Sequence, residues 1–352
     1  MVDWLAGKRI KGTSTERTAS FIPSVGGWKE LGRTTLGSGN SVVNVGSLAN
    51  KRYLMFLSND MRSIGNTDGK IRLNSDTGSN YSTRGSSNGS ADATGVNQTG
   101  GFYSIDTGAD ENFTVGYCAN YATKEKLLQY WRVNKNSAGA GYAPYRREFI
   151  TKHAQTSNPV TDLQIFTGGS DTYNTGSELV VLGWDPADTH TNNFWTELSN
   201  VTLGADGDTL SSGTITAKKY LWGQAFIRTK TGTTTTDIRF NGDTGSNYSK
   251  RKSFAGGAEE LSNSENRINV GGIDSDNPSF INFFIINNSA NEKLVMFHSV
   301  FSTPTGAGTA PYRIEGVGKW ANTSNQITEI NFVNTGAGDY ELGSKLIIWG
   351  SN

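Results

Sequence analysis

Short apolar runs separated by polar, glycine-rich stretches are the main pattern along this chain. Residues 53–57 (YLMFL), 178–182 (ELVVL) and 280–286 (FINFFII) are examples, rich in β-branched and aromatic side chains. Clusters of Gly, Asn, Asp and Ser bound such runs, and this combination predicts β-strands. No segment repeats its apolar residues with the 3.6-residue period of an amphipathic helix. The pattern therefore predicts an all-β protein.

Each half of the sequence repeats the other. Residues 70–84 (KIRLNSDTGSNYSTR) and 237–251 (DIRFNGDTGSNYSKR) are identical at eleven of fifteen positions and lie 167 residues apart. The same offset relates 28–31 (WKEL) to 195–198 (WTEL). A constant offset over most of the chain indicates two copies of one domain with almost no insertion or deletion between them.

This repeat predicts the domain organisation. We expect a first domain over 25–184 and a second over 192–352, each long enough for its own core. The polar segment 185–191 (DPADTHT) is typical of a linker, and residues 1–24 form an additional N-terminal arm. About eight strand-like runs per copy favour tandem antiparallel β-sandwiches of the jelly-roll type. The order of strands in the sheets does not follow from the pattern.

Charge and cysteine content exclude several functional classes. Lys plus Arg and Asp plus Glu both number 32, so the chain lacks the basic excess with which nucleic-acid binders neutralise phosphates. We therefore expect no direct nucleic-acid binding. The single cysteine, Cys118, precludes an intramolecular disulfide and is expected to be a small buried apolar residue.

The hydropathy of the chain predicts neither secretion nor membrane insertion. Its first residues lack the apolar core of a secretory signal peptide, and no apolar run approaches the length that spans a bilayer. We expect the protein to be made in a cytoplasm, without a signal peptide or a membrane location.

The repeated motif 74–80 (NSDTGSN) and its twin 241–247 (NGDTGSN) allow two interpretations. Oxygen-bearing side chains around a glycine are found in Ca²⁺ loops, for which Asp76 and Asp243 are the candidate ligands. The bidentate glutamate of a full Ca²⁺ loop is missing. The alternative is a tight turn in which glycine supplies a positive φ and the Asp and Asn side chains cap the backbone. The turn is the preferred prediction.

The sequence offers no catalytic constellation. At the repeat offset, His153 aligns with Trp320 and His298 aligns with Trp131, so the two copies share no histidine. A Ser–His–Asp triad or a His/Cys metal site therefore cannot be present in both. We predict a protein that is not an enzyme and has no cofactor. The glutamates at 125 and 292 are expected to be surface charges.

Two residue sets are candidates for contacts with partners. The first is the basic arm with apolar anchors, which suits docking onto a neighbouring subunit but could equally be a frayed terminus. Its residues are Trp4, Lys8, Arg9, Lys11 and Arg17. The second set consists of tyrosines in polar, loop-like sequence, which could stack on sugars or form subunit contacts. They are Tyr81, Tyr142, Tyr145, Tyr248 and Tyr312.

Three passages carry a resemblance to a known family. They are 7–17 (GKRIKGTSTER), 238–248 (IRFNGDTGSNY) and 343–350 (GSKLIIWG), the last echoed by 176–183 (GSELVVLG). They resemble β-rich structural proteins of tailed viruses of bacteria and archaea. The resemblance implies a virion component that associates with itself and with other virion proteins. It carries no catalytic residues.

From these observations we expect a non-enzymatic structural protein of a virus particle, most simply a head-surface decoration or minor capsid protein. A double jelly-roll shell protein and a tail fibre or baseplate part are alternatives in the same class. A carbohydrate-binding adhesion module that recognises a host glycan is the alternative from a different class.

Overall fold

The computed structural model describes most of the chain. The described residues are 27–61, 69–104, 111–168, 171–188, 192–229, 232–274, 278–301 and 307–352. The predicted arm over residues 1–24 and part of the predicted linker lie outside them.

Every regular element among the described residues is a β-strand. The first half contains β1 (Lys29–Thr35), β2 (Val42–Val45), β3 (Tyr53–Met61), β4 (Gly69–Leu73), β5 (Tyr81–Ser87), β6 (Ala93–Gln98), β7 (Gly101–Ser104), β8 (Glu111–Ala119), β9 (Lys126–Asn134), β10 (Tyr145–His153), β11 (Leu163–Thr167) and β12 (Glu178–Trp184). The second half contains β13 (Thr196–Thr202), β14 (Thr209–Ser211), β15 (Tyr220–Ile227), β16 (Thr234–Phe240), β17 (Tyr248–Phe254), β18 (Glu259–Glu265), β19 (Ile268–Asp274), β20 (Ser279–Ile286), β21 (Lys293–Phe301), β22 (Tyr312–Trp320), β23 (Ile330–Val333) and β24 (Lys345–Ser351).

Each half is a sandwich of an eight-stranded and a four-stranded sheet. The first half has the orders β1-β12-β3-β8-β9-β10-β5-β6 and β2-β11-β4-β7. The second half repeats both orders with its corresponding strands, as β13-β24-β15-β20-β21-β22-β17-β18 and β14-β23-β16-β19. Neighbouring strands pair antiparallel in all four sheets. The predicted all-β fold of tandem, jelly-roll-like sandwiches is thereby confirmed.

The predicted strand count was too low, because the described residues of each half form twelve strands where about eight were expected. The strands that the pattern missed are short or polar. β6 has the sequence ATGVNQ and β18 has EELSNSE. Such edge strands have no alternation of apolar and polar residues, so their sequences do not distinguish them from loops.

The core of each half lies between its two sheets. Alternate side chains point inward, as in β4, where Gly69, Ile71 and Leu73 are buried and the residues between them are partly exposed. The first half buries one apolar cluster this way and the second half another. Burial of this kind contributes roughly 25 cal/mol per Å² of apolar surface and holds the sheets together.

A cross-strand aromatic ring in each core shows how the copies kept one shape with different residues. In the first half Phe56 on β3 pairs with Gly116 on β8, and a Cβ added to Gly116 would lie 2.1 Å from the phenyl ring. In the second half the roles are exchanged. Gly223 on β15 pairs with Phe283 on β20, and a Cβ added to Gly223 would lie 2.0 Å from that ring. The glycine is required in both because the ring occupies the space of its side chain.

The first half also encloses a charged pair that the second half lacks. Arg132 Nη2 lies 2.8 Å from Asp60 Oδ2, and both side chains are fully buried. The Tyr103 hydroxyl donates to Asp60 Oδ1 at 3.1 Å. The guanidinium carbon of Arg132 lies over the Tyr103 ring, 4.6 Å from the ring centroid. At the repeat offset Asp60 corresponds to Ile227 and Arg132 to Ser299. One sandwich therefore encloses a buried ion pair where the other has a buried apolar side chain and a serine that bonds the Val270 carbonyl.

Candidate functional site

The motif at 74–80 forms a turn that is held by its aspartate. Asp76 Oδ1 accepts the Gly78 N–H at 2.8 Å, and Oδ2 accepts from Asn80 Nδ2 and His153 Nε2, both at 2.8 Å. Burial raises the pKa of Asp76, but these hydrogen bonds outweigh it and lower the pKa to about 2. The carboxylate thus faces N–H donors, which serve a turn and not a cation.

Asp243 does the same in the second half with one different donor. It accepts from Gly245 N at 2.8 Å, from Asn247 Nδ2 at 2.9 Å and from Trp320 Nε1 at 2.7 Å. Trp320 is the residue that aligns with His153, so an indole replaces an imidazole as the donor. Among the described residues, no group of three His, Cys, Asp or Glu side chains could hold a metal ion.

The predicted positive φ at a glycine occurs in the second copy, at Gly242 (67°), but not at the central glycine of the first copy. The positive φ angles belong to Asn74 (54°) and Ser75 (50°), not to Gly78. Gly78 is required for space instead, because a Cβ there would lie 2.7 Å from Asn80 Nδ2. Asn tolerates the left-handed region better than most residues, which explains its place at the start of the motif.

The prediction that Tyr81 and Tyr248 are exposed rings was also wrong. Both side chains are at most 1% exposed. Each begins a strand at an inward-facing position, and the Tyr81 hydroxyl bonds the backbone of Leu73 at 2.9 and 3.0 Å. Tyr81 stacks on His153, with ring centroids 4.4 Å apart. Burial raises the pKa of both phenols, so they stay neutral, and their lack of exposure leaves neither ring open to a sugar.

The other tyrosines that were predicted as contact residues differ in exposure. Tyr142 is 55% exposed and Tyr312 is 38% exposed, and the Tyr312 ring packs 4.9 Å from Phe254. Tyr145 is half-buried, with the Arg251 guanidinium 5.5 Å from its ring centroid. The five arm residues, Trp4, Lys8, Arg9, Lys11 and Arg17, lie outside the described part of the chain.

The largest feature that sequence reasoning missed is the joint between the two halves. The outward faces of the two eight-stranded sheets pack on each other and form a third apolar cluster from residues of both halves. Phe113 on β8 meets Tyr220 on β15, with ring centroids 6.1 Å apart. The near-continuous apolar run of β20 (SFINFFII) is the signal that could have predicted it, since strands buried on both faces lack alternation.

Two sets of outward positions at opposite ends of each eight-stranded sheet describe this joint. Surface A comprises Leu57, Phe113, Val115 and Val133 in the first half and their counterparts Gln224, Phe280, Asn282 and Val300 in the second. Surface B comprises Tyr53, Tyr117, Leu127, Gln129 and Ile150 in the first half and their counterparts Tyr220, Phe284, Leu294, Met296 and Val317 in the second.

The joint buries surface A of the first half and surface B of the second half. Phe113 and Val133 are fully buried, and Leu294 and Val317 are at most 2% exposed. The two halves therefore contribute different ends of the same sheet, which makes the joint heterologous in the sense used for subunit interfaces. A two-fold relation would have buried the same positions in both halves.

Charged groups fix the edge of the joint. Arg146 of the first half reaches Glu259 of the second, which accepts from Nε at 2.9 Å, and Arg146 Nη1 lies 3.2 Å from Glu315. The carboxylate of Glu292 accepts the Gly139 N–H at 2.6 Å and is 5% exposed. The expectation of a surface charge at Glu292 was wrong, because a loop of the other half covers it.

A histidine and a tryptophan meet at the centre of the joint. The rings of Trp131 and His298, which align with each other, lie 5.2 Å apart. They border a cavity of about 230 Å³ together with Val115, Asn282 and Met296. Burial lowers the pKa of His298 to about 4, so the ring is neutral at pH 7.

The ends that the joint does not use remain exposed. On surface B of the first half, Leu127 is 57% exposed and Ile150 is 55% exposed. They line an apolar groove of about 800 Å³ that also includes Trp28, Tyr53 and Trp184. On surface A of the second half, Phe280 and Val300 are each 42% exposed. Exposed apolar residues grouped in this way are a common feature of interaction sites.

Comparisons with known proteins supply no family. No protein-family model matches the chain, and a search of curated proteins gives no match. Among solved structures it is similar to the mouse laminin alpha1 chain, domains LG4-5, with 10% identity and a TM-score of 0.19. That alignment covers 94% of this chain and 92% of the other, and at this TM-score it supports no conclusion about function. Within the described residues there is no helix long and apolar enough to cross a membrane.

Acidification is predicted to weaken the joint through His298. The pKa of His298 is about 4 in the folded chain and near 6.5 in the unfolded chain. The neutral ring therefore makes its full contribution to the free energy of unfolding above pH 6.5, and this contribution is lost as the pH falls toward 4. The full loss is about 3 kcal/mol. The measurement is the free energy of unfolding of the wild type and of His298→Gln between pH 7 and pH 4.

Subtracting the two curves removes the contribution of every other titrating group. Glu315, Arg146 and Arg313 face the ring and are present in both proteins. Parallel curves for the wild type and His298→Gln would contradict the prediction.

Proposed function

We propose that this chain is a structural building block of a virus particle that works through subunit contacts, most simply on the head surface or as a minor capsid protein. The observation that carries the structural part is the exposed surface B of the first half. It is the counterpart of a surface that the second half buries completely against another sandwich. A sheet end that already serves as a packing surface in one copy is suited to the same use in the other.

The positions of the charged residues also support a structural role. Arg146, Glu259 and Glu292 are buried at the joint, and Asp76 and Asp243 hold turns. These groups stabilise the fold and the packing of the halves. The location on a virus particle is supported by the three passages that resemble structural proteins of tailed viruses. A double jelly-roll shell protein or a tail part remains an alternative within the proposal.

The proposal predicts that the chain co-sediments with DNA-filled particles. Particles from the source sample are banded in a density gradient, treated with nuclease and washed, and the chain is identified by mass spectrometry. Repeated contacts with neighbouring subunits keep it in the particle band at a fixed ratio to the shell protein. Recovery of the chain only in the soluble fraction, with particles that lack it, would contradict the proposal.

Carbohydrate binding is a second candidate function. The groove on the first half is a better candidate for the sugar site than the tyrosines predicted from the sequence. The rings of Tyr53 and Trp184 stack 5.4 Å apart at an angle of 23°, and the groove also contains Trp28 and Gln129. Flat rings beside polar groups are suited to stacking on a sugar.

A glycan array tests this second candidate. If the groove binds sugar, Tyr53→Ala abolishes the signal while Tyr312→Ala, at an exposed tyrosine of the second half, leaves it unchanged. A blank array, or equal loss in both variants, would remove carbohydrate binding as a function of this groove.

A further inference from the structure

We infer that surface B of the first half of one molecule binds surface A of the second half of another copy of the same chain. The inference rests on the proposed function in so far as it assumes that the chain works through subunit contacts. It goes further by naming the two surfaces and the partner.

The first argument is the apolar content of both unused ends. Within the chain, Val133 on surface A and Leu294 on surface B are buried at the joint. Their counterparts Val300 and Leu127 keep an apolar side chain and are 42% and 57% exposed. Covering such residues with one another removes apolar surface from water, as the joint between the halves does.

The second argument is that two further counterparts keep their apolar character. Phe113 on surface A and Val317 on surface B are buried at the joint. Their counterparts Phe280 and Ile150 are also apolar and are 42% and 55% exposed. The two unused ends therefore offer apolar surface at the positions that the joint uses.

The third argument is charge complementarity. At the joint, Arg146 beside surface A pairs with Glu259 beside surface B. At the repeat offset these residues correspond to Arg313 and Asp92, which retain the same signs. Each is paired on its own chain, Arg313 with Glu315 and Asp92 with Arg84, and their side chains are 63% and 47% exposed, which leaves both open to a second molecule.

An ion pair beside surface B is also preserved between the halves. In the second half, Lys319 and Glu292 lie 3.6 Å apart beneath a loop of the first half. In the first half, the corresponding Lys152 and Glu125 lie 3.6 Å apart and are about half exposed. The ion pair that the first half covers in the second half is thus also present in the first half, where it is uncovered.

A heterologous contact of this kind joins molecules end to end. It gives a closed ring or pair where the rotation between neighbours closes and an open filament where it does not. Because Asn282 and Gln129 replace apolar residues, the contact between molecules is more polar than the joint within one molecule. It is therefore expected to be weaker and reversible.

The test uses two full-length variants that each spoil one end. Ile150→Glu places a charge on surface B of the first half, and Val300→Glu places one on surface A of the second. Both sites are exposed, so circular dichroism should show unchanged folding. Leu342→Glu, at an exposed leucine outside both surfaces, is the matched control. Masses are measured by sedimentation velocity from nanomolar to high micromolar concentration.

The expected result is a mass that rises with concentration for the wild type and Leu342→Glu, and an association midpoint that is raised about tenfold or more in each surface variant. An equimolar mixture of Ile150→Glu and Val300→Glu should form two-chain species and nothing larger. Each variant keeps one intact end, and only the mixture contains both.

Several outcomes would overturn the inference. A wild type that stays a single chain at every concentration would do so, as would assembly blocked by only one of the two variants. Assembly that appears only after removal of residues 1–26 would show that the arm covers the groove. If the chain assembles as described but is absent from particles, the proposed function fails alone. If it is found in particles yet never self-associates, this inference fails alone.

Discussion

The packing of one end of a β-sheet against the opposite end of its own copy is the interaction on which the rest of this structure depends. It buries Phe113 and Val133 from one half and Leu294 and Val317 from the other. Because the two halves share one ancestry but use different ends, the contact leaves one end of each half unused. The exposed groove and the exposed apolar residues of the second half are consequences of that single asymmetry.

Within each half the copies preserved shape more closely than chemistry. One aromatic ring fills the core from β3 in the first half and from β20 in the second. His153 and Trp320 donate to equivalent aspartates. Asp60 and Arg132 form an ion pair where the other copy has Ile227 and Ser299. Each exchange keeps the space filled, which is the condition that close packing imposes on a core.

The repeat and the turn chemistry were predictable because both are local properties of the sequence. The offset of 167 residues indicated two like domains, and the Asp and Asn of the repeated motif indicated a capped turn. The orientation of Tyr81 was not predictable in this way. It lies at the start of a strand, where a shift of one position reverses the face on which a side chain lies. Its polar neighbours gave no alternation to fix that position.

Burial that depends on contacts between distant segments was also beyond the sequence. Glu292 is covered by the loop that contains Gly139, and Glu125, its counterpart in the first half, is exposed. Both glutamates begin the same tripeptide, Glu-Lys-Leu, directly before a strand, so this local pattern does not distinguish them. The difference arises only when one sandwich packs on the other, which is also why surfaces A and B were not expected.

Hydroxyl-radical footprinting of the dilute full-length chain, read residue by residue by mass spectrometry, tests the asymmetry of the joint most directly. The account predicts strong labelling of Leu127 and Ile150 and protection of their counterparts Leu294 and Val317. Equal labelling of the two pairs, or protection of the first pair alone, would contradict it.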